Sequence, residues 1–257
     1  MAKTVTVIGL EGFPIVKRGD NLAEVIVETA NKNYISLNDG DIVVIAQKIV
    51  SKAEARVVTL RSVVPSTRAK EMAKVTLKDP KLVELILRET EEIVKASAEI
   101  LIVQNKRGLV CINAGIDKSN VEGRDAYALL PEDPDASAQR IRSEIREVTG
   151  KEIAVVISDT YSRPFRRGQV EFAIGIAGLE PFKDYRGQQD LFDYVMKVKY
   201  TAVADEIASA AELVTGQGKE GIPVVIIKGL SGIECGENAS SSDLSISQNE
   251  DLFKNTL

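Results

Sequence analysis

The chain has 257 residues, 44% of them hydrophobic and 28% charged, with a net charge of −5; it can bury a sizeable core in one large domain or two small ones, and without a broad basic excess it is not expected to bind nucleic acid. It contains no histidine, which excludes Ser-His-Asp and Cys-His catalysis and His-ligated zinc, and leaves oxygen ligands and hard cations such as Mg²⁺, Mn²⁺ or Ca²⁺ as the metal chemistry. No apolar run approaches the roughly 18 residues of a membrane span, and "MAKTVTVIGLEG" has neither the apolar core nor the cleavage site of a secretory signal, so no membrane partner and a cytoplasmic location are expected.

In chain order, "TVTVIGLEG" (4–12) alternates and predicts a strand ending at glycine. Residues 21–33 carry helical apolar spacing, with Asp20 or Asn21 as the cap. From Asp41 a buried strand runs until its character changes at Gln47-Lys48. Pro65-Ser66 opens a helix over "STRAKEMAKVT", and Asp79-Pro80 opens another over "KLVELILRETEEIVK", whose Leu82, Leu85, Ile86 and Ile93 share one face. Residues 65–97 therefore predict a helical insertion between β-rich parts. Strands resume over 98–105, turn at Asn105-Lys106-Arg107-Gly108 and continue over 109–117. A Pro-rich loop (129–137) leads to a helix closed by Gly150, and "EIAVVISDT" is a buried strand ending at Asp159-Thr160. A strand over 171–182, a helix over 201–216 closed by Gly216, and a strand over 221–230 follow, then a polar tail with a short helix near Asp251. The class is α/β or α+β without strict βαβ alternation, as one catalytic unit with no separable linker. Cys111 and Cys235 lie far apart with no CxxC partner, so reduced thiols are expected.

Five polar segments sit where strand-end loops build sites. "GFPIVKRGD" (12–20) reads as a turn at least as readily as a binding loop. Lys48 and Lys52 are four apart, as on a solvated helix face or as paired cations for phosphate; this segment alone favours the solvated face. "CINAGIDKSNVEG" (111–123) fits an Asx-turn and an oxygen-ligated cation site equally. Asp159-Thr160 resembles the carboxylate-plus-hydroxyl grip on Mg²⁺ at phosphoryl-transfer sites, with a turn as the rival reading and Arg163, Arg166 and Arg167 close behind. "VTGQGKEGIP" (214–223) offers glycine-rich backbone to phosphates but is not a P-loop. Together, in a chain without histidine, they point to metal-dependent nucleotide chemistry on an anionic substrate.

The ordered motifs "EGFPIVKRGD", "SKAEAR", "INAGIDKSNVEG", "SDTYSRPFRRG", "AIGIAG", "ADEIASAAELVTGQGKEGIP" and "IKGL" closely resemble the coenzyme F-420-0:L-glutamate ligases (coenzyme F-420:gamma-glutamyl ligases), over residues 8 to 230. The resemblance implies GTP-dependent addition of L-glutamate to the lactyl carboxylate of the coenzyme F-420 precursor, then γ-linked glutamate. It implies a mixed α/β fold of two interleaved lobes, an intertwined homodimer, and two divalent ions, Mg²⁺ or Mn²⁺, with a monovalent cation such as K⁺. By motif it places metal ligands at Asp117, Asp159, Thr160 and Gln217. It places nucleotide contacts at Phe13, Pro14, Ile15, Val16, Gln47, Lys48, Lys52, Asn120, Thr215, Gly216, Gly218, Lys219 and Gly221.

Every reactant of such a ligase is anionic, which makes Arg163, Arg166 and Arg167 the candidate catalytic residues, holding glutamate carboxylates or the precursor phosphodiester. The rival reading pairs them structurally with Asp117, Glu171 or a partner subunit. The sequence also fits two alternatives: an amide ligase acting on a different carboxylate, and a non-catalytic nucleotide-binding protein.

Overall fold

Three short runs of β-branched residues, Ile42–Ala46, Ala154–Ile157 and Val224–Ile227, are buried almost throughout, and in the computed structural model, which describes residues 3–246 and 250, they lie side by side as central strands. In chain order the elements are β1 (Thr6–Gly9), α1 (Leu22–Lys32), β2 (Ile42–Ala46), α2 (Gln47–Ala53), β3 (Val57–Thr59), α3 (Thr67–Thr76), α4 (Pro80–Arg88), β4 (Thr90–Ser97), β5 (Ile100–Asn105), β6 (Val110–Ile112), β7 (Ala126–Ala128), α5 (Pro134–Thr149), β8 (Ala154–Ser162), β9 (Gln169–Ala177), β10 (Lys183–Asp184), β11 (Tyr200–Thr201), α6 (Val203–Thr215) and β12 (Val224–Lys228). The α/β class expected from sequence holds. The helix expected near Asp251 lies outside the described residues.

The chain forms two compact units built from interleaved segments: 1–15, 20–47 and 133–257 in the first, 16–19 and 48–132 in the second. In the first unit a five-stranded mixed sheet has the order β1-β12-β2-β8-β9, with β2 and β8 parallel and the other neighbours antiparallel. Alternate residues go to opposite faces. Ile42, Val44, Val156, Val225 and Ile227 pack with Val203, Ala204, Ile207, Ala208 and Ala211 of α6. Val43, Ile45, Val155 and Ile157 point the other way and are equally buried, and α5 packs on that side against β8 and β9. Gly175 makes that approach possible: a Cβ there would stand 2.5 Å from the Pro134 carbonyl oxygen.

Asn21, Ser66 and Asp79 each accept a backbone N–H of the helix they open, as the sequence predicts, and Gly150 closes α5 at φ 68°; α5 begins earlier than expected, at Pro134 inside the loop predicted over 129–137, because Asp133 caps it by accepting the Ala136 N–H.

In the second unit, β4-β5-β6 form an antiparallel sheet and β3-β7 a two-stranded ribbon. Its core joins Leu85 and Ile86 of α4 to Leu101 and Val103 of β5, with Ala114, Ile116 and Leu129. Here the sequence reading needs correction: the helical insertion expected over 65–97 ends at Arg88, and Thr90–Ser97 is strand β4. Ile93 packs on the same core as Leu82, Leu85 and Ile86, so its spacing satisfied both periods. Pairing of β4 with β5 then decides the matter, in keeping with the β-branched Thr90, Ile93 and Val94. The strand expected over 109–117 is also shorter, ending at Ile112, because Asn113–Gly115 form a single turn with left-handed backbone.

Candidate functional site

The stretch "SDTYSRPFRRG" does not end a strand at Asp159-Thr160, as the sequence suggested; β8 continues to Ser162, held by the antiparallel ladder to β9, and residues 163–168 are the hairpin connection. One irregularity governs what this hairpin presents. Ile157 pairs with Gly175 but Ser158 pairs with Ala173, so Ile174 is an extra, bulged residue. The bulge shifts the phase of β9, and Glu171 comes to lie opposite Thr160 on the face covered by α6. Asp159 falls on the opposite face with Tyr161, whose ring stacks on Phe172 at 4.9 Å. Adjacent strand residues diverge, so Asp159 and Thr160 do not direct their side chains at one point.

On the α6 face, Thr160 meets a set of oxygens. Its Oγ1 lies 2.9 Å from Glu171 Oε1 and 3.1 Å from Gln217 Oε1. Gln217 Nε2 donates to Glu171 Oε1 at 2.9 Å and to Glu212 Oε1 at 3.0 Å. Glu212 Oε2 accepts the Glu171 backbone N–H at 3.1 Å, and Ser209 Oγ donates to the Glu171 carbonyl at 2.8 Å. Glu171 is 7% exposed, and its Oε2 is buried without a hydrogen-bond partner. A hydroxyl has one proton, and here two acceptors face it. The set is short of donors, which suits a hard cation that takes oxygen ligands. Among the described residues no three of His, Cys, Asp and Glu come together with metal-ligand spacing, so a cation here relies on hydroxyl and amide oxygens beside the carboxylates.

Asp205 belongs to the same helix–strand contact. Burial raises its carboxyl above the ordinary value, and the Ala173 N–H that it accepts at 3.0 Å pulls the other way.

The arginines occupy the hairpin. Arg166 and Arg167 are exposed and Arg163 is half-buried with its Nε unpaired. Among the described residues none of the three forms an ion pair, and Glu171 takes Thr160 and Gln217 as partners, which removes the structural pairing with Glu171. The glycine-rich loop follows α6: the Gly216 N–H closes the helix onto Glu212 O, and the Gly218 N–H bonds Glu220 Oε2 at 2.8 Å. Thr215 is half-buried, and Lys219 and Gly221 are exposed. The chain leaves β1 and β2 beside this loop's entry into β12, with the Leu10 N–H on Val224 O and the Ala46 N–H on Pro223 O, both at 2.9 Å; Phe13 is half-buried while Pro14 and Ile15 are exposed, and Gln47, the first residue of α2, is 2% exposed.

The second unit carries its own charged cluster. The Lys48 ammonium bonds Asp117 Oδ2 and, at 2.6 Å, Ser119 Oγ. Asp117 Oδ1 accepts the backbone N–H groups of Lys118 at 2.6 Å and Ser119 at 3.0 Å, so the Asx-turn reading of this loop is realised. Burial pushes the Asp117 carboxyl up; hydrogen bonds from Lys48 and Ser119 outweigh it and hold the group below the ordinary carboxylate value. Burial, then the like charge of Lys48, lowers Lys52, against an upward pull from Glu122. The solvated-face reading of the lysine pair therefore fails for Lys48, whose side chain is 17% exposed.

Ahead of Asp117, Asn113, Ala114 and Gly115 all have positive φ (53°, 56° and 73°), a strained path for the first two. Gly115 is required twice over, since a Cβ there would sit 2.6 Å from the Leu130 side chain. Asn120 is left-handed at φ 54° and exposed. Val16, 5% exposed, packs in this unit, and the Gly19 N–H bonds Ala53 O at 2.8 Å, tying the segment to the end of α2.

Sequence reasoning passed over Glu171 and Glu212 as site residues. Their signal is the strand register and a helix face, neither of which is local in sequence. Cys111 and Cys235 are free thiols, as expected.

The family model described as F420-0:Gamma-glutamyl ligase matches residues 12–229. A protein of Methanothermobacter thermautotrophicus named Coenzyme F420:L-glutamate ligase is 48% identical over 226 residues, covering 88% of this chain and 89% of that protein. Proteins of the same name from Methanocaldococcus jannaschii and Archaeoglobus fulgidus are 44% and 43% identical, each covering 98% of both chains. A match of this extent reaches into both units and takes in Asp117, Asp159, Thr160 and Gln217, and the chain belongs to the F420-0:Gamma-glutamyl ligase family and is, with it, a ligase.

Proposed function

We propose that this chain joins L-glutamate to the lactyl carboxylate of the coenzyme F420 precursor in an amide bond and then adds γ-linked glutamate, using GTP by way of an acyl phosphate. The observation that carries the reading is the match over residues 12–229 to a family of glutamyl ligases. The donor-poor oxygen set at Thr160, Glu171 and Gln217, the Lys48–Asp117 cluster and three arginines that form no ion pair among the described residues support it.

A carboxylate is a poor acyl donor. Transfer of the γ-phosphoryl group of GTP to the lactyl carboxylate makes an acyl phosphate; the amine of glutamate attacks its carbonyl and phosphate leaves. Mg²⁺ or Mn²⁺, when bound, supplies charge neutralisation at the phosphates. Asp117, Asp159, Thr160 and Gln217 are the residues that would hold the divalent ions, and a monovalent cation such as K⁺ completes the proposed set. The β8 pleat turns Asp159 away from Thr160 and Gln217, so these residues serve different ions. Lys48 and Lys52, four apart on α2, act as point charges toward phosphate. Phe13 to Val16, Gln47, Asn120 and the backbone of Thr215 to Gly221 frame the nucleotide. Arg163, Arg166 and Arg167 hold substrate carboxylates or the precursor phosphodiester with bidentate contacts. Glutamate attacks as the neutral amine, and with no histidine in the chain its proton goes to a carboxylate, a phosphate oxygen or water.

A homodimer belongs to the same proposal. The segment between β10 and β11 exposes Leu191 (96%), Phe192 (88%) and Val198 (88%), apolar surface that a second copy would cover. A cytoplasmic setting suits these substrates. The coupling is tested by phosphate release: sustained release from GTP must require both L-glutamate and the precursor. Release at full rate with either one absent contradicts the ligase mechanism.

A further inference from the structure

Glu171 stands out among the polar groups of the first unit. Its side chain is more than nine-tenths buried, at 7% exposure, and Oε2 has no hydrogen-bond partner. A buried carboxyl oxygen left without a hydrogen-bond partner is costly. The donors of Thr160 and Gln217 are already committed. Both Gln217 amide protons go to Glu171 Oε1 and Glu212 Oε1, and the one Thr160 hydroxyl proton faces two acceptors, Glu171 Oε1 and Gln217 Oε1. Glu212 does not compensate, since its Oε2 is held by the Glu171 N–H. The group is fixed in place by the Thr160–Glu171 ladder pair, by Ser209 on the Glu171 carbonyl and by the Ile174 bulge that sets the phase of the strand. A carboxylate oriented this firmly and left one partner short is what a cation site supplies from the protein side.

We infer that Glu171, through Oε2, is a direct ligand of the divalent cation that Thr160 and Gln217 hold. The inference rests on the reading of those two residues as cation ligands. It gives that ion a carboxylate from the β8–β9 hairpin, without which Thr160 and Gln217 offer it only neutral oxygens.

Two measurements test it on the full-length protein. In crystals of the unaltered protein grown with Mn²⁺ and GTP, the anomalous signal is expected within about 2.5 Å of Glu171 Oε2; a manganese peak near Thr160 and Gln217 with Glu171 turned away overturns the inference. In calorimetric titration with Mn²⁺ in the presence of GTP, Glu171→Gln should weaken one of two sites about tenfold or more and leave the other intact, and Mn²⁺ should raise the Tm of this variant less than that of the unaltered protein. Glu171→Asp, which keeps the charge and withdraws it by one methylene, should fall between. If Thr160→Ala and Gln217→Ala weaken that ion but Glu171→Gln does not, the inference fails and the metal reading stands. If none of the three changes Mn²⁺ binding, the metal reading itself has failed.

Discussion

At the scale of single residues, neighbours in sequence do different work. Asp159 and Thr160 are consecutive, yet the pleat sends them to opposite faces of the β8–β9 hairpin, and only Thr160 meets Glu171 and Gln217. Asp159→Asn should therefore lower glutamate addition by about 100-fold or more while leaving Mn²⁺ binding at the Thr160 ion; turnover near normal at saturating Mg²⁺ would remove Asp159 from the metal set. Lys48 is committed to Asp117 and Ser119 in the free protein. Replacing it with methionine should raise the Kd for GTP about tenfold or more, since a hydrogen bond to a charged group contributes on the order of 1.5–3 kcal/mol. An unchanged Kd in equilibrium binding would confine Lys48 to a structural ion pair.

At the scale of elements, contacts between neighbouring pieces decide where the chain bends and how firmly it holds. Glu84 of α4 accepts the Ser66 N–H at the start of α3 at 3.0 Å and the Arg88 guanidinium at 3.0 Å. The side-chain and backbone hydrogen bonds of Ser66, then Arg88, hold its carboxyl at about 2, below the ordinary 4.5, against a smaller upward push from burial. A carboxyl depressed on folding stabilises above its unfolded value and loses that contribution as pH falls through its folded value. The unaltered protein should exceed Glu84→Gln in stability by on the order of 1–2 kcal/mol near neutrality, and the gap should close between pH 4.5 and about 2. Urea unfolding across that range reads it; a constant gap would mean that Glu84 acts through packing alone. Gly175→Ala forces a Cβ to 2.5 Å from the Pro134 carbonyl oxygen and should destabilise by about 1–3 kcal/mol, again read by urea midpoint. Elements are also where the sequence was most and least legible. Caps at Asn21, Ser66 and Asp79 and the Gly150 stop are local and could be read directly. The β4 strand could not, because Ile93 fits the α4 face and the sheet equally until β5 pairs with it.

At the scale of the whole molecule, two compact units are assembled from interleaved segments of one chain. The motif order made the family legible from the residues alone, and the match over 12–229 agrees with it. Glu171 was not legible, because its partners at Thr160 and Gln217 stand 11 and 46 residues away and meet it only through a bulged ladder and the end of α6. The exposed apolar arm between β10 and β11 predicts a dimer in sedimentation, and replacing Leu191 and Phe192 with serine should shift it toward monomer.

The central claim is the reaction itself. Incubating the protein with GTP, Mg²⁺, L-glutamate and the glutamate-free cofactor, and reading product masses, tests it most directly. The expected product is cofactor heavier by one or more glutamyl residues, with matching release of GDP and phosphate, and no increment when GTP is omitted. Unmodified cofactor with every component present, or glutamate addition without GTP, would contradict it.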